Sequence, residues 1–195
     1  MISPRSTLAF GLLAAASAAP CDILLAAGNP CVAAHSTTRA LFDDYAGTLY
    51  NITRPDGQSF SVPLLAAGGF ANKSAHDAFC PNKDCVISNV YDQTANANHL
   101  GQRHKLVNAS QHPIKISGVD VYGMWFDPGY GYHVDKTQNV AQNNEPESIF
   151  AVLSGTHFNG GCAWRAPTAP AACRETPPHA SPFSLFFSPA LRRLL

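Results

Sequence analysis

The chain has 195 residues, 46% of them hydrophobic and 13% charged, with 13 basic and 13 acidic side chains that cancel to a formal charge of zero. That balance suits one compact domain and excludes a disordered, highly charged tail. It also supplies no field that would steer the chain onto nucleic acid or another polyanion.

The opening stretch, MISPRSTLAFGLLAAASAAP, sets Arg5 ahead of an apolar run from Leu8 to Ala18, with Ala16, Ser17 and Ala18 as the small residues a signal peptidase accepts. The run is about 11 residues, whereas a membrane span needs roughly 20. Residues 1–18 are therefore expected to be a signal peptide, and the mature chain to begin near Ala19 or Pro20. The protein is expected to be secreted and extracellular, with no membrane partner.

All six cysteines follow the expected cut. Cys21 and Cys31 enclose Gly28, Asn29 and Pro30, and Cys80 and Cys85 enclose PNKD, which is turn chemistry. Both read as short disulfides rather than zinc ligands, which would need repeated close pairs. Asn51-Ile-Thr53, Asn72-Lys-Ser74 and Asn108-Ala-Ser110 are sequons, surface glycosylation sites in a secreted chain.

Ser36 to Tyr45, STTRALFDDY, has a Ser or Thr to cap a helix and Ala40, Leu41 and Tyr45 at helical spacing, so a short helix is expected there. From Thr48 onward the apolar segments are short, β-branched and aromatic: TLYNITR, FSVPLL, DCVISNVYD, IKISGVDVYGMWF and SIFAVLSGTHF. Gly, Pro, Asn and Asp punctuate them, which predicts a mostly-β sandwich with one or two short helices. Between Arg165 and Leu195 the character changes, with six prolines, no glycine, no Asp and a single Glu. Either a Pro-rich tail or a lost coding frame would give that composition, and 165–195 is expected to be disordered in both cases.

A secreted β-sandwich directs attention to carbohydrate chemistry, and glycosidases commonly set two carboxyl groups about 5 to 10 Å apart across the sugar bond. Glu145-Pro-Glu147 is the close glutamate pair, just before SIFAVL, and residues two apart on a strand share a face. The plainer reading is a solvated strand entry. Asp92, Asn96, Asn98 and His99 could form a polar loop site, or could cap turns and satisfy buried backbone groups. His99 and His104 are five apart with no further ligand pattern, so no metal and no cofactor is expected. There is no Gly-x-Ser-x-Gly to support a serine hydrolase. Trp125 reads as core packing, and Trp164 has no pattern to place it.

Taken in order, PCDI, PCVAAHSTTRALFDDYAGTLY, FCPNKDCVISNVYDQTANANHL, YGMWFDPGYGY and EPESIFAVLSGTHFNGGC resemble the catalytic domain of the fungal α-L-arabinofuranosidase B family, glycoside hydrolase family 54. The resemblance runs from about Pro20 to Cys162, which makes 19–164 the N-terminal part of such a catalytic domain. It implies an incomplete concanavalin-like jelly roll from a secreted retaining enzyme that removes terminal arabinofuranose from arabinoxylan and arabinan. The implied partners are arabinose-containing plant cell-wall polysaccharides, with no nucleic acid, and the implied state is a monomer. It also pairs Cys21 with Cys31 and Cys80 with Cys85.

The family places two adjacent cysteines against the arabinose ring. Cys162 matches the first, and Ala163 stands where the second belongs, so Cys162 remains as a substrate contact without its partner. The family's glutamate nucleophile and aspartate acid/base come from further along, and Glu175 lacks their context. The resemblance therefore assigns no catalytic residue to this chain and implies an inactive fragment. A different class, a non-catalytic carbohydrate-binding or decoy module, would keep the surface without the chemistry. A third is an open reading frame with no stable product. The sequence leaves open whether Cys162 pairs with Cys173.

Overall fold

The computed structural model describes residues 19–153 and, for the backbone alone, 183–189. The expected signal peptide, Cys162, Ala163, Trp164, Cys173 and Glu175 lie outside the described residues.

Helix α1 (Pro20–Ala26) starts with proline in its first turn, where the missing N–H costs nothing, and carries Asp22 against the positive helix end. A bridge from Cys21 to Cys31, with Cα atoms 5.6 Å apart, ties it to the chain entering β1 (Ala33–His35), whose three residues are all buried.

No helix forms over Ser36–Tyr45. The capping signal is real: the Ser36 hydroxyl accepts from Thr38 N at 3.1 Å and Arg39 N at 3.2 Å. Distant partners then claim the groups a helix would use. Ala71 N donates to Thr38 O, Ala40 N to Gly69 O, and Leu41 N to the Gln93 side chain at 2.7 Å. Gly68 makes this possible, since at φ 67° a Cβ there would sit 2.3 Å from Asp43 O.

The main sheet runs β3 (Ser59–Val62), β2 (Tyr50–Thr53), β4 (Val86–Val90), all antiparallel. Tyr50, Ile52, Val62, Ile87 and Val90 face inward and are at most 2% exposed. On the other face hydroxyls bond one another: Thr53 lies 2.8 Å from Ser59 Oγ and donates to Ser88 Oγ at 2.9 Å. Helix α2 (Lys73–Phe79) is capped by the Asn72 carbonyl oxygen accepting from Ala75 N, and ends at Cys80, bridged to Cys85. It closes the core by stacking Phe79 on Phe60, ring centres 5.3 Å apart.

Gly101–Gln102 (β5) pairs with Tyr132–His133 (β8). IKISGVDVYGMWF, read as one segment, is a hairpin of β6 (His112–Ile116) and β7 (Val119–Gly123). Ser117 and Gly118 turn it at φ 49° and 83°, the signature of a two-residue turn with both φ values positive.

The other three-stranded sheet runs β1, β10 (Phe183–Pro189), β9 (Glu147–Leu153), also antiparallel, with Ala34 opposite Phe186 and Phe186 opposite Phe150. This strand lies within the stretch expected to be disordered. Within FSLFFSP the sole proline ends the strand, where it costs least, and Phe and Leu favour a pleated neighbour. The described residues are thus mostly β with two short helices, each placed elsewhere than the sequence pattern suggested.

Candidate functional site

Asp92 is 4% exposed, and its two carboxylate oxygens accept four hydrogen bonds. Ala34 N at 2.8 Å and Thr94 N at 2.9 Å reach Oδ1; Thr94 Oγ1 at 2.8 Å and Asn98 N at 2.9 Å reach Oδ2. Asn98 donates to Val32 O and Gln138 O and accepts from Gln138 N, while Asn96 holds Val32 O and receives Asn139. His99 Nδ1 accepts from Asp92 N at 3.0 Å. The four residues are brought together as a clasp between β1 and two loops, with the polar atoms of Asp92, Asn96 and Asn98 consumed and His99 at the exposed edge. Next to it His35, 3% exposed, donates from Nε2 to Asn98 O at 2.7 Å and leaves Nδ1 without a partner. Burial holds its pKa below the usual histidine value, against the raising effects of the Asn98 carbonyl and Asp92.

A second constellation went unread in the sequence. His76, fully buried, has Tyr50 Oη 2.9 Å from Nδ1 and Ser110 Oγ 3.0 Å from Nε2. Burial pushes it down to about 4, with the Asp77 charge working the other way and Lys73 adding to the fall. Tyr122 packs its ring 4.6 Å from the histidine and donates to Asp77 Oδ1 at 2.8 Å, and Lys73 pairs with Asp77 Oδ2. Burial raises Asp77, but the hydrogen bonds from Lys73 and Tyr122 outweigh it, and the carboxyl sits below its ordinary value. Serine, histidine and tyrosine in line resemble a nucleophile, base and orienting group. Here Tyr50 and His76 are sealed and Ser110 is 7% exposed, so no substrate can reach them.

The glutamate pair does not form. Glu145 lies in the turn before β9, its carboxylate accepting from Gln142 N at 2.9 Å, and Glu147 alone enters the strand, both exposed. Trp125 is half-buried rather than central, donating to Asp127 and lying 5.2 Å from the His112 ring, while Met124 takes the core position at 6% exposure. Among the described residues one grouping has ligand-like proximity, Cys80, Asp84 and Cys85, but the disulfide occupies both sulfurs. No helix of the described residues is long and apolar enough to cross a membrane. The sequon asparagines are half-buried: Asn51 sits on the hydroxyl face of β2, Asn72 caps α2, and Asn108 donates to Lys83 O while accepting from Ser110 N.

Beside the clasp lies an open cleft of about 330 Å³ lined by Cys31, by Phe42, Asp44 and Tyr45, and by residues 93–96. Its first wall falls in the stretch mistaken for helix, which hid the grouping of two aromatic rings and a carboxylate.

Comparison with known proteins gives this mostly-β chain, with its local disulfides and sealed polar clasps, a family among enzymes named for arabinofuranosides. Residues 20–176 match the family described as alpha-L-arabinofuranosidase B, catalytic, and the chain belongs to that family. The match continues past Trp164, where the sequence reading placed the boundary. Alpha-L-arabinofuranosidase B of Aspergillus niger is 40% identical over 190 residues, covering 90% of this chain and 38% of the relative. The enzyme of the same name from Emericella nidulans is 41% identical over 183 residues, covering 87% and 36%. A crystal structure of arabinofuranosidase complexed with arabinofuranosyl-alpha-1,2-xylobiose superposes with a TM-score of 0.71 at 40% identity, covering 74% of this chain and 33% of that one. The chain therefore spans little more than a third of these relatives.

Proposed function

We propose that this chain supplies the N-terminal part of the catalytic jelly-roll sandwich of a secreted, retaining α-L-arabinofuranosidase, and that by itself it performs no hydrolysis. Its substrates in the assembled enzyme are terminal arabinofuranosyl groups on arabinoxylan, arabinan and related cell-wall polysaccharides. The leading support is the family match over residues 20–176. The acids agree with it. Retention needs one carboxylate to attack the anomeric carbon and one carboxylic acid to protonate the leaving oxygen. Among the described residues, Asp92 is sealed by four donors, Asp77 is bound to Lys73 and Tyr122, and Glu145 is folded into its own turn. None of these is placed to flank a sugar.

The chain's contribution is then a rigid wall. Its clasp at Asp92 and core at His76 tie down the loops around them. The test is release of 4-nitrophenol from 4-nitrophenyl α-L-arabinofuranoside. The purified chain should give no rate above buffer. Fusion to the part of the Aspergillus niger enzyme beyond the matched third should give turnover. Hydrolysis by the chain alone, abolished in Glu145→Gln or Glu147→Gln, would overturn the proposal.

A further inference from the structure

The cleft beside the clasp lies where the two hydrophobic clusters of the chain meet. Phe42 packs on the small cluster of Cys21, Cys31, Ala34 and Leu41, whereas Tyr45 packs on the main core. Each ring is half-buried, so each keeps a face or edge open to the cleft. The opposite stretch is rigid. Gln93 receives Leu41 N and donates to Arg39 O, Thr94 donates to Val32 O and Asp92, and Asn96 donates to Val32 O. Tyr45 donates to Thr48 O at 2.7 Å, and burial, with the nearby Asp92 and Tyr91 charges, keeps its hydroxyl protonated, its oxygen still able to accept. Asp44 is exposed and, among the described residues, engaged in no hydrogen bond or ion pair, so its oxygens are open to the cleft.

Two apolar ring surfaces beside an open carboxylate suit a ligand with C–H faces and vicinal hydroxyls. Rings stack on the C–H faces, and a carboxylate takes two hydroxyl donors. At about 330 Å³ the space reaches the lower end of small-molecule sites. Asp43 and Asp22, the latter accepting from Asp43 N at 2.7 Å, add negative charge to the same corner and disfavour acidic ligands. These acids do not converge at ligand distance, so a cation is not the fit.

We propose that the cleft formed by Phe42, Asp44, Tyr45 and Asn96 is a binding subsite for a short uncharged pentose oligosaccharide. The choice of pentose rests on the function proposed above; the choice of an uncharged sugar rests on the cleft itself. Binding needs no turnover, so the two readings fail separately. A chain that binds xylotriose but whose fusion never hydrolyses arabinofuranosides keeps the subsite and loses the enzyme. A fusion that hydrolyses while the cleft binds nothing keeps the enzyme and loses the subsite.

The experiment is titration of the full chain with xylotriose, arabinotriose and trigalacturonate, read by calorimetry and by amide chemical shifts. One of the neutral trisaccharides should bind saturably, with shifts centred on residues 42–45 and 93–96, and trigalacturonate should not bind. Asp44→Ala, on an exposed side chain and so with unchanged melting, should weaken binding roughly tenfold, and Phe42→Leu similarly. Equal affinity in both variants, shifts centred elsewhere, equal binding of trigalacturonate, or no binding of either neutral sugar would each overturn the subsite.

Discussion

The sheets β3-β2-β4 and β1-β10-β9 are both three-stranded and antiparallel, yet they relate to solvent in opposite ways. Strand β2 alternates buried Tyr50 and Ile52 with half-buried Asn51 and Thr53, one face for the core and one for water. Strand β9 does not alternate. Its run Ile149, Phe150, Ala151, Val152, Leu153 puts apolar side chains on both faces, and the four large ones are 51–64% exposed. A continuous apolar strand is the pattern of a sheet covered on both sides. The first sheet is finished by residues of this chain. The second has the composition of a buried strand without the burial.

That contrast can be broken by mutation. Ile87→Ala removes a fully buried side chain from the finished sheet and should cost about 2–5 kcal/mol, read as a fall in the urea midpoint at unchanged slope. An effect below 1 kcal/mol would mean that the first sheet is no better packed than the second.

Acid sharpens it next. His76 is neutral when folded, with its pKa down at about 4, whereas unfolding restores about 6.5. Between those values the unfolded chain binds more protons, so stability is complete above pH 6.5 and falls as pH drops toward 4, by about 3 kcal/mol. Tyr50, Tyr122, Lys73 and Asp77 face the ring. The depressed Asp77 contributes stability that is lost at lower pH still, as pH falls through its folded value. His76→Gln should start less stable at pH 7 and lose less across the window; parallel curves for the two proteins would remove His76 from the account.

The smallest effect belongs to β9. Val152→Thr swaps one exposed β-branched residue for another and should change stability by less than about 0.5 kcal/mol. It should still lower self-association, measured by light scattering, because it interrupts an exposed apolar surface. Core-like destabilisation would show that the face is covered after all.

The strands were legible because Val, Ile and aromatic residues between turn formers mark pleated segments whatever their partners. The disulfides were legible because each closes a short loop rich in turn residues. The helix over Ser36–Tyr45 misled because its cap is local and real, while its competitors, Ala71, Gly69 and Gln93, lie far off in sequence. Strand β10 was missed because proline density was averaged over the whole tail. Asp92 and its neighbours were correctly suspected of serving backbone groups, but the cleft beside them depends on residues 42–45 and 93–96 meeting, which no periodicity announces.

The two disulfides among the described residues join cysteines only 10 and 5 positions apart, whereas strand β1 must await a partner at residues 185–187. Each bridge can close as soon as its own short stretch has emerged, so oxidation does not commit the chain to a topology. Mispairing between these two loops is disfavoured by distance alone. The order in which the sheets assemble is left to noncovalent forces.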